Sequence, residues 1–411
     1  MERSRLIFRT AAAVLAVAIH EVFPGSELLG GGETSTGFFY QFFSSHPLPP
    51  EARQMLEEQM RQIVRENREV REMEMVACSA REFFEKEGHI AAANALEELE
   101  PKELVSIVKI GEFANLMDGP FCSSIREMGA FKLVSLKSLG DCEYRVEGCA
   151  FATKEQLKHF LRLLSRYESG NHLHLGSELG FWGREGEHII WTHSGLALRQ
   201  QLVAFLKKSF GSEEFKAASV SVLDQFGLER ARKGDSFSAW TVFEKTMDPE
   251  GDEGFFEEQC QTVAQQTIYC AEKEIVELAI SLLQRISKTL IILGFNPELR
   301  LAGRRQGEKG IKLLSFILSN DKLDMVPENV TKHVTLPFEV DDITASRVSR
   351  VRWMVRDGLD RMQSVIELEI GYKEDGFAIL RAKAGVERIL SLLLEQNSGN
   401  LPDWLISEKK R

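Results

Sequence analysis

The stretch Gly111–Leu136, GEFANLMDGPFCSSIREMGAFKLVSL, decides how the rest of the chain is interpreted. It contains a short apolar run, the dipeptide Gly119-Pro120, a polar segment and a second run, Ala130–Leu136, that favours a strand. Proline fixes its own φ and moves the preceding residue away from helix, so Gly119-Pro120 predicts a turn between two extended segments. The stretch therefore predicts a hairpin-like element in the middle of a domain.

The bulk composition is that of an ordinary globular protein. The chain has 411 residues, of which 43% are hydrophobic and 27% charged, and this length predicts two or three domains of ~100–200 residues each. The formal net charge is −11 and the pI is about 5.5, which argues against binding of nucleic acid over a broad surface. Six cysteines without a Cys-x-x-Cys pair indicate reduced thiols in the cytoplasm rather than a disulfide framework or a zinc site.

The amino terminus contains an apolar run, Thr10–Ile19, after Arg3, Arg5 and Arg9, a pattern that imitates a signal peptide. The run is too short to span a bilayer. It also ends directly at His20 and Glu21, without the small residues of a cleavage site. We therefore expect a buried helix here and no association with a membrane.

Hydrophobic periodicity predicts a mixed chain of the α+β class, with a first domain that ends near Phe151. The predicted helices are Arg3–Val22, Glu51–Glu66, Ala80–Glu87, Ile90–Glu98, Lys154–Glu168, Leu196–Phe210, Glu272–Leu293 and Ala382–Leu394. The predicted strands are Thr36–Phe43, Val105–Ile110, Ala130–Leu136, Ile189–Trp191, Val351–Arg356 and Val365–Ile370. Asp357-Gly358 predicts a hairpin turn, Gly30–Gly32 a turn, Gly176–Gly186 a loop and Asp248–Gly254 an acidic linker.

Two segments carry a resemblance to a known family. Met117-Asp118-Gly119-Pro120-Phe121, followed by Gly129-Ala130-Phe131-Lys132-Leu133, resembles the Cys-Arg-Gly-Pro-His run and the Lys-Ala-Phe-Lys-Leu-like strand in the editing domain of threonyl-tRNA synthetases. Ala18-Ile19, Phe23-Pro24 and Gly37-Phe38-Phe39-Tyr40 fall in register with the family's first editing motif. The resemblance implies an editing-domain-like α+β module over residues 1–152.

The chemical positions of that resemblance hold different residues. The family's two histidines fall on Ala13 and Val17, its cysteine on Met117, its second-motif histidine on Phe121 and its aspartate on Asn115. In the family the His and Cys positions form the site that hydrolyses mischarged seryl-tRNA. Such hydrolysis needs a positioned base or water-binding group, which Ala, Val, Met and Phe do not supply. We therefore predict no catalytic residue and a filled cleft.

The resemblance continues into an abbreviated class II synthetase core with an antiparallel sheet and helices. It implies linker helices and core entry at 153–210, the core at 211–405 and a tail at 406–411. Gln265–Cys270 and Leu380-Arg381-Ala382 resemble segments that bear zinc ligands, but Thr267 and Leu380 stand in place of the histidines. We expect no zinc. Ala384–Arg388 resembles the start of the third class II motif.

A few polar residues remain candidates for binding. Arg388 keeps the family's ATP-phosphate arginine, so it is a vestigial ATP contact or an ordinary salt-bridged residue. His172 and His174 form a metal pair or, by preference, part of a linker turn. A basic cluster in a loop or strand edge is an RNA-binding candidate or a solvated loop; it comprises Arg300, Arg304, Arg305 and Lys309.

These features together predict a catalytically inactive threonyl-tRNA synthetase-like protein. Its partners are expected to be tRNA, an authentic aminoacyl-tRNA synthetase or a second copy of itself. The alternative is a surviving threonine–tRNA ligase or another ATP-using enzyme that acts through a rearranged class II site.

Overall fold

A computed structural model of the chain describes residues 2–34, 36–140, 142–185, 188–211, 220–233, 236–245, 261–303, 309–318, 338–340, 348–373 and 376–406. The predicted acidic linker Asp248–Gly254, Arg304 and Arg305 lie outside these residues. Contacts divide the chain into two units, Met1–Arg162 and Leu163–Arg411. Both units combine helices with largely antiparallel sheets, so the predicted α+β class is confirmed.

The described part of the first unit follows this order: α1 (Glu2–Val22), β1 (Glu27–Glu33), β2 (Phe38–Phe43), α2 (Ala52–Glu66), β3 (Val70–Val76), α3 (Ala77–Glu87), α4 (Ile90–Ala95), β4 (Leu104–Ile110), β5 (Phe113–Leu116), β6 (Ala130–Gly140), β7 (Glu143–Phe151) and α5 (Lys154–Gly170). The strands form a four-stranded sheet, β1-β2-β7-β6, and a three-stranded sheet, β3-β4-β5. Helix α5 extends across the boundary between the two units.

Helix α1 lies at the centre of the first unit. Its residues from Ala11 to Ile19 are each at most 1% exposed, and they pack with α2 and with the four-stranded sheet in one core. Burial of these apolar side chains stabilises the fold by ~25 cal/mol for each Å² of apolar surface that is removed from water. This confirms the prediction of a buried helix at Thr10–Ile19. None of the helices in the described ranges is long and apolar enough to cross a bilayer.

The central stretch is not one hairpin, as the sequence had suggested. Strand β5 pairs with β4, whereas β6 pairs with β7 in the other sheet. The connection contains Gly119-Pro120 and a short 3-10 helix, Ile125–Met128, whose Ser124 and Glu127 form a capping box. The prediction of a turn at Gly30–Gly32 was also wrong. These glycines lie in β1 and pair with β2, and Gly31 has to be a glycine because a Cβ there would meet the Tyr40 ring at 2.1 Å.

The described part of the second unit follows this order: α6 (His172–Glu178), β8 (Trp182–Glu185), β9 (His188–Trp191), α7 (His193–Phe210), α8 (Val220–Arg232), β10 (Phe237–Lys245), β11 (Gln261–Ala271), α9 (Ile275–Ile292), β12 (Glu298–Gly303), α10 (Lys309–Leu318), β13 (Phe338–Val340), β14 (Val348–Arg356), β15 (Met362–Tyr372), β16 (Phe377–Gly385), α11 (Val386–Gln396) and α12 (Asp403–Ile406). The segment Gly176–Gly186, predicted to be a loop, instead contains the end of α6 and strand β8.

A seven-stranded sheet, in the order β10-β11-β16-β15-β14-β12-β13, organises the second unit. One face is apolar and packs against α7, α9 and α11. The predicted helix Ala382–Leu394 is wrong at its start, since β16 continues to Gly385 and only then does α11 begin. Ala382 and Ala384 of β16 face this core. Because β16 pairs with β11 on one side and β15 on the other, strand pairing overrides the helix propensity of these alanines. The predicted Asp357-Gly358 hairpin turn is confirmed between β14 and β15.

Candidate functional site

The four positions that the resemblance assigns to editing chemistry all lie in the core of the first unit. Ala13 and Val17 are 1% and 0% exposed on α1, and Met117 and Phe121 are 6% and 7% exposed after β5. All four belong to one apolar cluster. The fold therefore brings these positions together, and they contribute packing there.

A cleft of about 560 Å³ lies beside Met117 and Phe121, but Ala13 and Val17 do not line it. That the former editing cleft is filled therefore stays a prediction. The polar lining of the cleft beside Met117 is acidic, because Glu72, Glu74 and Asp118 contribute carboxylates, and the described residues that line it include no lysine, arginine or histidine. Such a lining repels the phosphates of a nucleic acid. Sequence reasoning missed it because Glu72 and Glu74 lie on β3, far from Asp118 in the chain.

The loop that forms one wall of this cleft is held in place by hydrogen bonds. The Phe121 N–H donates to Glu72 Oε1 at 3.0 Å, and Arg9 Nη1 donates to the Gly119 carbonyl at 2.6 Å. The Cys122 N–H donates to Thr10 Oγ1 at 2.9 Å. The wall is therefore fixed to α1 and β3 by both charged and neutral groups.

Asn115, the counterpart of the family's aspartate, serves the scaffold. Its Nδ2 donates to the Tyr40 hydroxyl at 2.8 Å, and both residues are buried. Burial raises the pKa of the Tyr40 phenol far above its ordinary range, although the Asn115 hydrogen bond lowers it in part. Neither group is poised to accept a proton near neutral pH.

In the second unit, Arg388 lies in the first turn of α11 and is 8% exposed. Its Nη1 donates to the Ser364 carbonyl at 3.0 Å. The neighbouring Glu387 accepts from both the N–H and the hydroxyl of Thr262 at 2.7 Å, and burial raises the pKa of Glu387. One of the five N–H donors of Arg388 is thus bonded to a backbone carbonyl of the adjacent sheet, and its contact with ATP stays a prediction.

The two positions in place of zinc-binding histidines are not brought together. Thr267 pairs with Arg381 across β11 and β16, and Leu380 pairs with Ile268. Because residues directly opposite each other share a face and neighbours along a strand alternate, Thr267 and Leu380 lie on opposite faces. Within the described ranges, no group of three His, Cys, Asp or Glu residues is arranged to hold a metal ion.

The face of the large sheet away from the apolar core carries cross-strand ion pairs that sequence reasoning missed. Arg352 pairs with Glu367 at 3.0 Å, and Glu369 pairs with Arg350 at 3.0 Å and Lys383 at 2.7 Å. Burial opposes ionisation of Glu369, but the cations hold its pKa below the usual range. The signal was present as alternating charged and apolar residues in β14, β15 and β16.

Helix α8 covers one end of this polar face. Asp224 accepts from the Tyr269 hydroxyl at 2.5 Å and from Arg381 Nη2 at 2.6 Å. A side chain at Gly227 would meet the Tyr269 ring at 2.3 Å, so the glycine permits the close approach of the helix.

The basic cluster predicted for RNA binding does not lie on one loop. Arg300 lies in β12 opposite Arg352 of β14, and on the other side of β12 the strand β13 pairs only with Leu301–Gly303. Lys309 begins α10, forms an ion pair with Glu272 and lies 4.4 Å from the centre of the Tyr372 ring. Arg304 and Arg305 lie outside the described residues.

His172 and His174 both lie in α6, so the predicted linker turn is a helix, and their side chains enter different surroundings. His172 is buried, with Nδ1 at 2.7 Å from Glu395 Oε1. Glu395 also accepts from the Gly358 N–H at 2.9 Å. His174 is exposed and lies 3.3 Å from Glu178. The two imidazoles therefore do not form a metal pair in this structure.

Acid is expected to destabilise the second unit through Glu395. Burial would raise the pKa of Glu395, but the hydrogen bonds from His172 and Gly358 lower it overall. A lowered folded-state pKa stabilises the fold above the unfolded value of about 4.3, and this contribution is lost as the pH falls through the folded-state pKa. Urea unfolding should show that Glu395→Gln loses about 1.5–3 kcal/mol at pH 7. The gap between wild type and variant should narrow towards pH 3, and a gap that is independent of pH would contradict this assignment.

Comparison with known proteins gives a consistent relationship. The threonine–tRNA ligase of Janthinobacterium sp. (strain Marseille) is 26% identical over 243 residues, which is 56% of this chain and 38% of that protein. That of Allorhizobium ampelinum is 28% identical over 231 residues, or 54% of this chain and 35% of the relative. The chain thus spans about a third of the length of these curated relatives.

Solved structures with a similar chain trace include a putative threonyl-tRNA synthetase from Aeropyrum pernix, at 11% identity and a TM-score of 0.43 over 57% of this chain and 71% of that chain. The RNA binding domain of threonyl-tRNA synthetase from Cryptosporidium parvum Iowa II gives 16% identity and a TM-score of 0.40 over 57% of this chain and 74% of that chain. No family model matches the chain.

The curated matches relate the chain to the aminoacyl-tRNA synthetases. Within that class its relatives are threonyl-tRNA synthetases, and the relationship extends over about half of the chain. The resemblance inferred from the sequence motifs is therefore confirmed.

Proposed function

We propose that this chain is a non-catalytic relative of threonyl-tRNA synthetase that binds tRNA in the cytoplasm and neither charges nor edits it. The observation that carries the proposal is the apolar and buried state of Ala13, Val17, Met117 and Phe121. Hydrolysis of an ester bond requires a group that activates or positions water. None of these four side chains can do so.

The second unit supports the same proposal. Arg388 is engaged with the Ser364 carbonyl, and Thr267 and Leu380 face opposite sides of the sheet. Recognition of ATP phosphates requires a guanidinium that is presented to the ligand. The packing around Arg388 favours a structural role, and the alternative of an ATP-using enzyme receives no specific support.

The acidic cleft bears on how tRNA binds. Its carboxylates, Glu72, Glu74 and Asp118, oppose entry of a phosphate backbone. We therefore expect tRNA to contact a different surface. The second partner that we propose is an authentic aminoacyl-tRNA synthetase, which the chain would bind in addition to tRNA.

The purified full chain is expected to form no threonyl-tRNA and to leave the hydrolysis of seryl-tRNA at the rate of buffer alone. Removal of the groups that act together in an active site costs about 10⁴–10⁶ in rate for well-studied hydrolases, so the remaining activity should be undetectable. Radiolabelled threonine with ATP and tRNA tests charging, and seryl-tRNA with a labelled amino acid tests editing. An intact threonyl-tRNA synthetase serves as the positive control.

Binding of labelled tRNA should saturate in the same preparation. Production of threonyl-tRNA, or release of serine above the buffer rate, would overturn the non-catalytic part of the proposal. Loss of serine release in Glu72→Gln would then assign the activity to the acidic cleft rather than to a contaminating synthetase. Absence of tRNA binding at low salt would overturn the binding part.

A further inference from the structure

Helix α5 carries a row of cations along one side. Lys154, Lys158, Arg162 and Arg166 occupy every fourth position, and all four side chains are exposed. At a rise of 1.5 Å per residue, successive members lie about 6 Å apart along the axis and the row is about 18 Å long. Residues four apart lie next to each other on a helix, so these side chains form one continuous surface, the α5 ridge.

The ridge is not neutralised within the described protein. None of its four cations forms an ion pair with a described residue, and Arg162 only donates to the Lys158 carbonyl. On α2, by contrast, Arg61 is paired with Glu57 and Glu58. Like charges four residues apart destabilise a helix by about 0.2–0.5 kcal/mol per pair. The ridge therefore costs the fold stability, in a protein whose net charge is −11.

The other side of α5 is already used for packing. Phe160 is 8% exposed and lies 5.2 Å from the Phe151 ring, centre to centre. Leu157, Leu161 and Leu164 are partly buried on the same side. A helix that lies in a membrane surface needs its apolar face free to insert. The α5 ridge thus offers charge without an apolar face, which suits a polyanion in water.

We propose that the α5 ridge docks the phosphate backbone of RNA. Its length of about 18 Å is enough to follow several successive phosphates of one strand. Lysine and arginine fit this role because backbone contacts position a nucleic acid without a requirement for sequence. The acidic cleft and the negative net charge favour an orientation in which RNA meets the protein at the ridge. The choice of RNA as the polyanion rests on the proposed function.

The test compares two variants of the full chain that remove the same charge. The ridge variant combines Lys154→Gln, Lys158→Gln, Arg162→Gln and Arg166→Gln. The control variant combines Lys86→Gln, Lys102→Gln, Lys273→Gln and Lys288→Gln, which are also exposed but dispersed. Fluorescence anisotropy with a labelled 12-base-pair RNA hairpin, at about 50–200 mM salt, measures the affinity and its salt dependence. Circular dichroism and thermal unfolding check that both variants remain folded.

Four phosphate contacts predict a slope of log affinity against log salt of about −3.6, or a loss of about 100-fold between 50 and 200 mM salt. The ridge variant should lose this part of the slope and bind about 100-fold more weakly at 50 mM salt, while the control variant retains the slope of the wild type. An equal slope in the ridge variant and the wild type would overturn the ridge and leave tRNA binding intact. No RNA binding by the wild type would overturn both. Competition by polyglutamate as strong as that by RNA would reassign the ridge to an acidic protein.

Discussion

Histidines at positions 13 and 17 are expected to unfold the first unit rather than to create a hydrolytic site. Ala13 and Val17 are 1% and 0% exposed within the apolar core around α1. An added imidazole must expand a packed interior, which costs about 1–3 kcal/mol. It also buries a polar ring without a partner, which costs about 1–3 kcal/mol more. The double variant Ala13→His/Val17→His should therefore lose about 5 kcal/mol or more, comparable to the whole stability of many domains.

Urea unfolding followed by circular dichroism measures this loss. Met55→His is the matched control, because Met55 is on α2 and 44% exposed, and we expect its free energy of unfolding to change by less than about 0.5 kcal/mol. A double variant with the midpoint of the wild type would show that the core accommodates both rings. Release of serine from seryl-tRNA by that variant would show further that histidine side chains at positions 13 and 17 are sufficient to restore editing in this fold.

The second large effect is expected at the turn between β14 and β15. Asp357 has a fully buried side chain and accepts the N–H groups of Leu359 and Arg361 at 2.9 Å each. It also accepts Arg361 Nε at 2.6 Å and Gln363 Nε2 at 3.2 Å. Asp357→Ala removes the acceptor of these four hydrogen bonds and the buried carboxylate that pairs with Arg361. We expect a loss of about 3–5 kcal/mol.

The same turn offers a control. Asp360 pairs with Arg356 at 2.9 Å but is 51% exposed, and its φ of 63° is one that asparagine tolerates. Asp360→Asn should cost less than about 1 kcal/mol. Equal unfolding midpoints for the two variants in guanidinium chloride would show that the hydrogen bonds of Asp357 contribute no more to the free energy of unfolding than an exposed ion pair does. Unfolding at a much lower denaturant concentration in Asp357→Ala alone would confirm the assignment.

Local patterns predicted the elements well where one signal dominated. The apolar run of α1, the amphipathic α5 and the Asp357-Gly358 turn each have a pattern that needs no distant partner. Prediction failed at the start of the predicted helix Ala382–Leu394. Its first four residues, Ala382–Gly385, suit a helix by their alanines, but pairing with β11 and β15 on both sides holds them in a strand. Propensity differences of less than a kcal/mol per residue yield to such contacts.

The candidate site divides in the same way. The replacement of polar by apolar residues at Ala13, Val17, Met117 and Phe121 follows from the sequence and the family resemblance alone. The acidic cleft beside Met117 and Phe121 could not be predicted from the sequence, because its carboxylates come from β3 and from the loop after β5. The basic cluster near Arg300 and Lys309 was predicted as one patch from sequence proximity, whereas strand and helix place the two residues in separate elements. Their role in RNA binding stays a prediction.

The sequence by itself determined that this protein has an α+β fold, a buried first helix, apolar editing positions and a relationship to threonyl-tRNA synthetases. These features depend on residue identity and short spacings. Only the tertiary structure decided that Arg388 donates to the Ser364 carbonyl, that an acidic cleft lies beside Met117 and Phe121, and that the cations of α5 form no ion pair with a described residue. Each of these depends on which distant groups come within hydrogen-bonding or ion-pairing distance, and a one-dimensional pattern does not contain those distances.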